Sequence, residues 1–183
     1  PVHMYGQPCD VKGIQAVTAR MSGKYGKKIC VLYDAAHAFG SKTEGTLVGN
    51  FGDAEVFSLS ATKPFVCIEG GIVSSKNQLM IQQLKKMRNY GIDSNYNSKY
   101  PGMNGKMSEF HAAVGLFNLS RIETILETRS KKAKAYIEMI QKNTSFNVFT
   151  AKANTRHTYK DFSLLLSKTM MKHRDAIMTY LKK

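Results

Sequence analysis

A chain of 183 residues has room for one domain and part of another. Its 43% hydrophobic and 22% charged residues exclude a disordered polyelectrolyte, and no apolar run reaches the ~20 residues of a membrane span. The formal net charge of +14 suits an anionic partner, but the basic residues are scattered over helix-like stretches such as SKKAKAY and QLKKMR, with no zinc-finger, KH or RRM signature, which argues against nucleic acid.

The opening PVHMYGQPCDVKG has no cationic flank, no apolar stretch of a signal peptide and no initiator methionine, so we expect a segment from inside a longer protein. Cys9, Cys30 and Cys67 are widely spaced, without metal-binding spacing, and fit reduced thiols of a cytoplasmic protein. Residues 10–22 predict a helix, with Asp10 as N-cap and Ile14, Val17 and Met21 on one face. GKKICVLYD reads as a turn and a buried strand of continuous apolar residues. GDAEVFSLS and GGIVSS are two more strands, each entered from glycine. A helix over 76–90 ends at Gly91. Ser108 caps one long helix carrying Phe110, Ala113, Val114, Phe117, Ile122, Ile125 and Leu126, and helical character resumes at 131–142. After NTSFNVF, TYKDFSLLL reads as a strand and KHRDAIMTYLKK as a helix. The alternation predicts an α/β fold with a largely parallel or mixed sheet that looks incomplete.

Two places could carry chemistry. In VLYDAAHAFG, Asp34 ends a strand, where α/β sheets bind ligands; it either caps the next turn or faces a ligand. His37, taken singly, reads as a packed histidine. In EVFSLSATKPF, Lys63 leaves a strand on a turn bearing the hydroxyls of Ser58, Ser60 and Thr62, and Pro64 keeps that turn from becoming regular helix. Taken singly it is a surface lysine. An amine and an acid on neighbouring strand ends, with hydroxyls beside them, suit pyridoxal phosphate. That cofactor needs a Schiff-base lysine, an acid at its ring nitrogen and donors for its phosphate.

The ordered set PVHMYGQPCDV, VLYDAAHAFGSK, GDAEVFSLSATKPF, EGGIVSS, LKKMRNYGI and GMNGKMSEFHAAVGLFNL closely resembles the DegT/StrS-type sugar aminotransferases, fold-type I enzymes that aminate nucleotide-linked keto-sugars. The resemblance implies part of the cofactor-binding large domain over 1–126, a mostly parallel sheet with helices. Over 127–183 it implies a connecting helix and the start of a small α+β C-terminal domain. It implies pyridoxal 5'-phosphate as cofactor, a nucleotide sugar as substrate and an amino acid such as glutamate as amino donor. Lys63 matches the Schiff-base lysine and proton carrier. Asp34 matches the partner of the pyridine nitrogen, His37 a position beside the ring, and Ser58 a phosphate ligand. Asn104 matches an asparagine that reaches the cofactor phosphate of the neighbouring subunit, which implies a homodimer with shared sites. His3, Glu69 and Arg88 lie in matching motifs without assigned roles. The family's upstream phosphate loop and most of its small domain have no counterpart here. In MNGKM a glycine and a lysine replace a bulkier residue and an arginine. Related cofactor-dependent sugar dehydratases carry histidine at the lysine position, so Lys63 favours amino transfer. A basic binding module for nucleic acid or anionic glycan rests on net charge alone.

Overall fold

The structure, a computed structural model, describes residues 1–144 and 146–182. In chain order its elements are α1 (Val11–Tyr25), β1 (Leu32–Asp34), β2 (Lys42–Thr43), β3 (Thr46–Leu47), β4 (Ala54–Ser58), β5 (Gly71–Ser74), α2 (Gln78–Met87), α3 (Glu109–Leu119), α4 (Ile122–Asn143), β6 (Asn147–Val148), β7 (Thr155–Arg156), β8 (Leu164–Leu165) and α5 (Arg174–Leu181). Asp10 caps α1 as its sequence predicts: its carboxylate accepts the Gly13 amide at 2.9 Å. Asn77 and Ser108 cap α2 and α3 in the same way, their side-chain oxygens accepting the amides of Met80 and His111. Each such cap contributes about 1 kcal/mol.

The central sheet has the order β1-β4-β5. β1 and β4 are parallel, with Asp34 opposite Val56, and β5 returns antiparallel to β4. The continuous burial expected of ICVLY is not found: Val31 and Tyr33 are buried, but Leu32 is 59% exposed and Cys30 is exposed. The sheet is covered on one face only, and side chains alternate between faces along a strand. Under the covered face three buried clusters join into one core. Phe51 links Val11, Val31 and Tyr33 to Ala35, Ala38, Val48 and Phe57, and Phe39 links these to Leu59, Phe65 and Cys67.

The long helix expected from Ser108 onward is two helices, broken at Ser120–Arg121. Of its anticipated apolar stripe, Phe110 and Phe117 are exposed, and α3 buries only Gly115, against Cys67 and Phe65. α4 runs unbroken through position 126 and buries Leu126 and Ala133.

The segment after α4 also departs from expectation. TYKDFSLLL is a strand only at its end, where β8 pairs with β6. Residues 158–160 use their backbone groups elsewhere. The Thr158 and Lys160 amides donate to the carbonyls of Gly6 and Tyr5 at 3.2 and 2.9 Å. The Arg129 guanidinium takes the carbonyls of Thr158, Tyr159 and Lys160. Backbone groups so occupied are not free for a ladder. β7, just before them, pairs with β2 and fastens this segment to the loop that follows β1. No helix among the described residues is long and apolar enough to cross a membrane.

Candidate active site

The parallel register puts the ends of β1 and β4 side by side. Asp34 pairs with Val56, so Ser58 lies two residues further on, roughly 7 Å along the neighbouring strand. Both residues line one cleft of about 580 Å³, together with Pro1, Val2, Val56 and Gly70. The Asp34 carboxylate accepts the Ala36 amide at 2.9 Å through one oxygen and pairs with no cation among the described residues. The Ser58 hydroxyl stands 3.4 Å from that of Ser60.

Lys63 sits on the loop leaving β4. Its amide closes a turn onto the Ser60 carbonyl at 3.0 Å. The loop is tied at its base. Leu59 donates to the Gly70 carbonyl and accepts from the Cys67 amide, both at 2.9 Å, and Asn118 holds the Val66 carbonyl at 2.8 Å. Between those ties Glu69 bonds back to Cys67 around Ile68, whose φ of +68° is rare for a β-branched residue. Phe65 anchors the middle by stacking on Phe39 at 4.3 Å. The lysine is thus carried on a loop with a buried, bonded base, and its ammonium makes no ion pair among the described residues.

His37 accepts the Tyr5 amide at Nδ1, 3.3 Å away, and its ring is stacked near that of Tyr5. Burial first, then the charges of Lys63 and Lys160, push its pKa down, opposed by Asp161 and Asp34. The imidazole therefore reports on four charged neighbours from three segments. The third segment is held by Thr158, whose hydroxyl donates to the His37 carbonyl at 3.2 Å, and Lys160 pairs with Asp161 at 3.0 Å.

Asp34 and Ser58 line the cleft, and His37 and Lys63 stand on the loops that leave the same two strands. Asn104 does not line that cleft. It forms a bridge with Asn89 in a loop tied to the end of α2 by the Tyr90–Met103, Met103–Met87 and Gly105–Arg88 backbone bonds. Arg88 is the exposed C-cap of α2. Glu69 lines a separate depression with Gly105, Lys106 and His111. Sequence reasoning missed Lys160, Asp161 and Glu55. Glu55 is fully buried and faces His3, also fully buried, at 3.1 Å. The signal for it was a glutamate inside an apolar strand with no local cation.

The donor set fits pyridoxal phosphate. The Asp34 carboxylate and the Ser58 hydroxyl open on the cleft, and the Lys63 amine, without an ion pair among the described residues, stands on the loop that leaves β4, close enough for its charge to act on His37. Each answers one need of that group: ring nitrogen, phosphate and aldehyde.

A profile of the DegT/DnrJ/EryC1/StrS aminotransferase family matches residues 1–183. The dTDP-4-amino-4,6-dideoxy-D-glucose transaminase of Shigella dysenteriae is 34% identical over 182 residues, which is 100% of this chain and 48% of that protein. Among solved structures, DesI with its TDP-sugar product superposes with a TM-score of 0.86 at 30% identity, over 99% of this chain and 45% of DesI. The PMP form of Spr1654 from Streptococcus pneumoniae superposes with a TM-score of 0.91 at 21% identity, over 100% of this chain and 50% of that one, and speaks for the fold alone. The chain spans about half the length of the curated relatives it matches.

Proposed function

The chain belongs to the DegT/DnrJ/EryC1/StrS aminotransferase family, and from that premise we propose that its protein transfers an amino group from an amino acid such as glutamate to a nucleotide-linked keto-sugar, using pyridoxal phosphate. The observation that carries this is the parallel pair β1 and β4. Asp34 and Ser58 open on one cleft, and Lys63 stands on the loop that leaves the second strand.

The cofactor, when bound, supplies an electron sink that makes the carbon bearing the transferred nitrogen acidic. Asp34 would accept the pyridine N–H and keep that proton in place. The hydroxyls of Ser58 and Ser60 would donate to phosphate oxygens. Lys63 would hold the aldehyde at rest. Its Nζ would also serve as base and then acid for the proton that leaves the donor carbon. His37, lowered by burial and by the nearby lysines, stays neutral more readily than a free histidine and, with Nδ1 accepting the Tyr5 amide, can donate one hydrogen bond from Nε2. Asn104 would serve the phosphate of a neighbouring subunit in a homodimer. The same reading divides the chain into a cofactor-binding part, 1–126, and a part, 127–183, that opens a smaller domain. Three free cysteines suit a cytoplasmic protein.

The test is covalent trapping. Full-length protein mixed with pyridoxal phosphate and reduced with borohydride is expected to carry the cofactor mass on the peptide containing Lys63, and Lys63→Ala to carry none. A reduced adduct on another lysine, or a cofactor spectrum unaffected by Lys63→Ala, sinks the assignment. Glutamate added before reduction is expected to abolish the label by converting the cofactor to its amine form.

A further inference from the structure

The function proposed above leaves a buried polar cluster unused, on the covered face of the sheet behind the cleft. His3 Nε2 lies 3.1 Å from Glu55 Oε1. The Cys9 amide donates to His3 Nδ1 at 3.0 Å. A ring nitrogen that accepts an N–H carries no proton, so Nε2 is the donor and Glu55 the acceptor. The second carboxylate oxygen accepts the amides of Gly49 and Phe51, the latter at 2.8 Å. Three N–H groups therefore converge on one carboxylate. A glutamine cannot replace it, because its NH2 end would face a donor.

The main chain of His3 links this cluster to the cleft. Its amide donates to the Asp34 carbonyl at 2.9 Å, and the Asp34 amide donates to the Pro1 carbonyl at 2.9 Å, with Val2 and Asp34 forming a parallel bridge. On the other flank, Ala35 donates to the Val56 carbonyl at 2.8 Å. The backbone around Asp34 is thus held from both sides. The outer hold is the Pro1–His3 segment, through the Val2–Asp34 bridge. The His3 ring, bonded at both nitrogens and stacked on Tyr33 at 5.1 Å, anchors that segment.

We infer that Glu55, acting through His3, is a positioning residue for Asp34. Its buried carboxylate clamps the Pro1–His3 segment against β1 and so sets how the Asp34 carboxylate meets the cofactor nitrogen. The inference rests on the cofactor reading above, and its failure is distinguishable from the failure of that reading.

The experiment compares Glu55→Gln with Ala133→Gly, a substitution buried in α4, in the full-length protein. Three readings are taken at a common loss of Tm. These are amide hydrogen exchange at His3 and Asp34, the cofactor dissociation constant, and the pH midpoint of the bound-cofactor absorbance. Glu55→Gln is expected to speed both amides, to weaken cofactor binding by about tenfold or more, as loss of a group that orients a ligand does, and to move the midpoint. Ala133→Gly is expected to change Tm alone. If Glu55→Gln does not fold, His3→Asn gives the same readings, because Glu55 then keeps the Gly49 and Phe51 amides. Unchanged exchange at His3 and Asp34, or a dissociation constant that follows Tm in every variant, overturns the inference while leaving the function standing. Absence of label on Lys63 in the unsubstituted protein overturns the function instead.

Discussion

His157 is buried, and its Nδ1 accepts the Tyr159 amide at 2.8 Å, with the two rings stacked at 4.1 Å. Burial pushes its pKa down to about 4. The unfolded chain, with an ordinary value of about 6.5, binds a proton in the window between the two values that the folded chain does not. Stability from this group is therefore complete above about pH 6.5 and is lost as the pH falls toward about 4, by on the order of 3 kcal/mol. His157→Asn keeps an oxygen for the Tyr159 amide. It is expected to flatten the acid limb of stability measured by urea titration across that window; an acid limb identical in both proteins would clear His157 of the effect. The places of Asp34 and Ser58 at strand ends, and of Lys63 on the loop that follows, were legible in the sequence because a strand end is a local property, whereas their roles came from the family resemblance. Glu55 and His3 were not paired in that reading, because 52 residues separate them and only the sheet brings them together.

Among the elements, caps were legible and breaks were not. Asp10 and Ser108 announce their helices through side-chain oxygens that meet amides three residues on. Nothing so local marks the break at Ser120–Arg121, since the apolar spacing of α3 continues into Ile122 and Ile125 and Arg121 supplies no side-chain cap. The segment 158–160 was likewise misread as strand, because its partners are the 5–6 turn and Arg129 rather than a neighbouring strand. Gly6 is the hinge of that arrangement. Its φ is +98°, and a Cβ there would collide with the Thr158 hydroxyl and lie 3.2 Å from the Thr158 and Tyr159 amides. Gly6→Ala is expected to cost more than about 1 kcal/mol and to open 157–163 to limited proteolysis. Unaltered stability with unaltered cleavage would show that the approach of these two segments is not needed.

For the molecule as a whole, the open face of the sheet is the dominant physical fact. Val2, Leu32, Val56 and Val73 are each at least 38% exposed and lie side by side on that face, a contiguous apolar patch. Expressed as these 183 residues alone, the chain is expected to bind a hydrophobic dye and self-associate in sedimentation, whereas full-length protein does neither beyond its defined oligomer. A monodisperse, dye-silent 183-residue chain would mean that this face is adequately shielded as it stands. The fastening of the 156–160 stretch has a consequence in time as well. Ser41 with Thr158, Gly40 with Arg156 and the His37 carbonyl with Thr158 join positions 117, 116 and 121 residues apart. During synthesis, the loop that carries His37 emerges from the ribosome long before the 156–160 stretch that bonds to it, and until then its polar groups lack those partners. A translational pause ahead of residue 156 would prolong that vulnerable interval, whereas one beyond residue 160 would not.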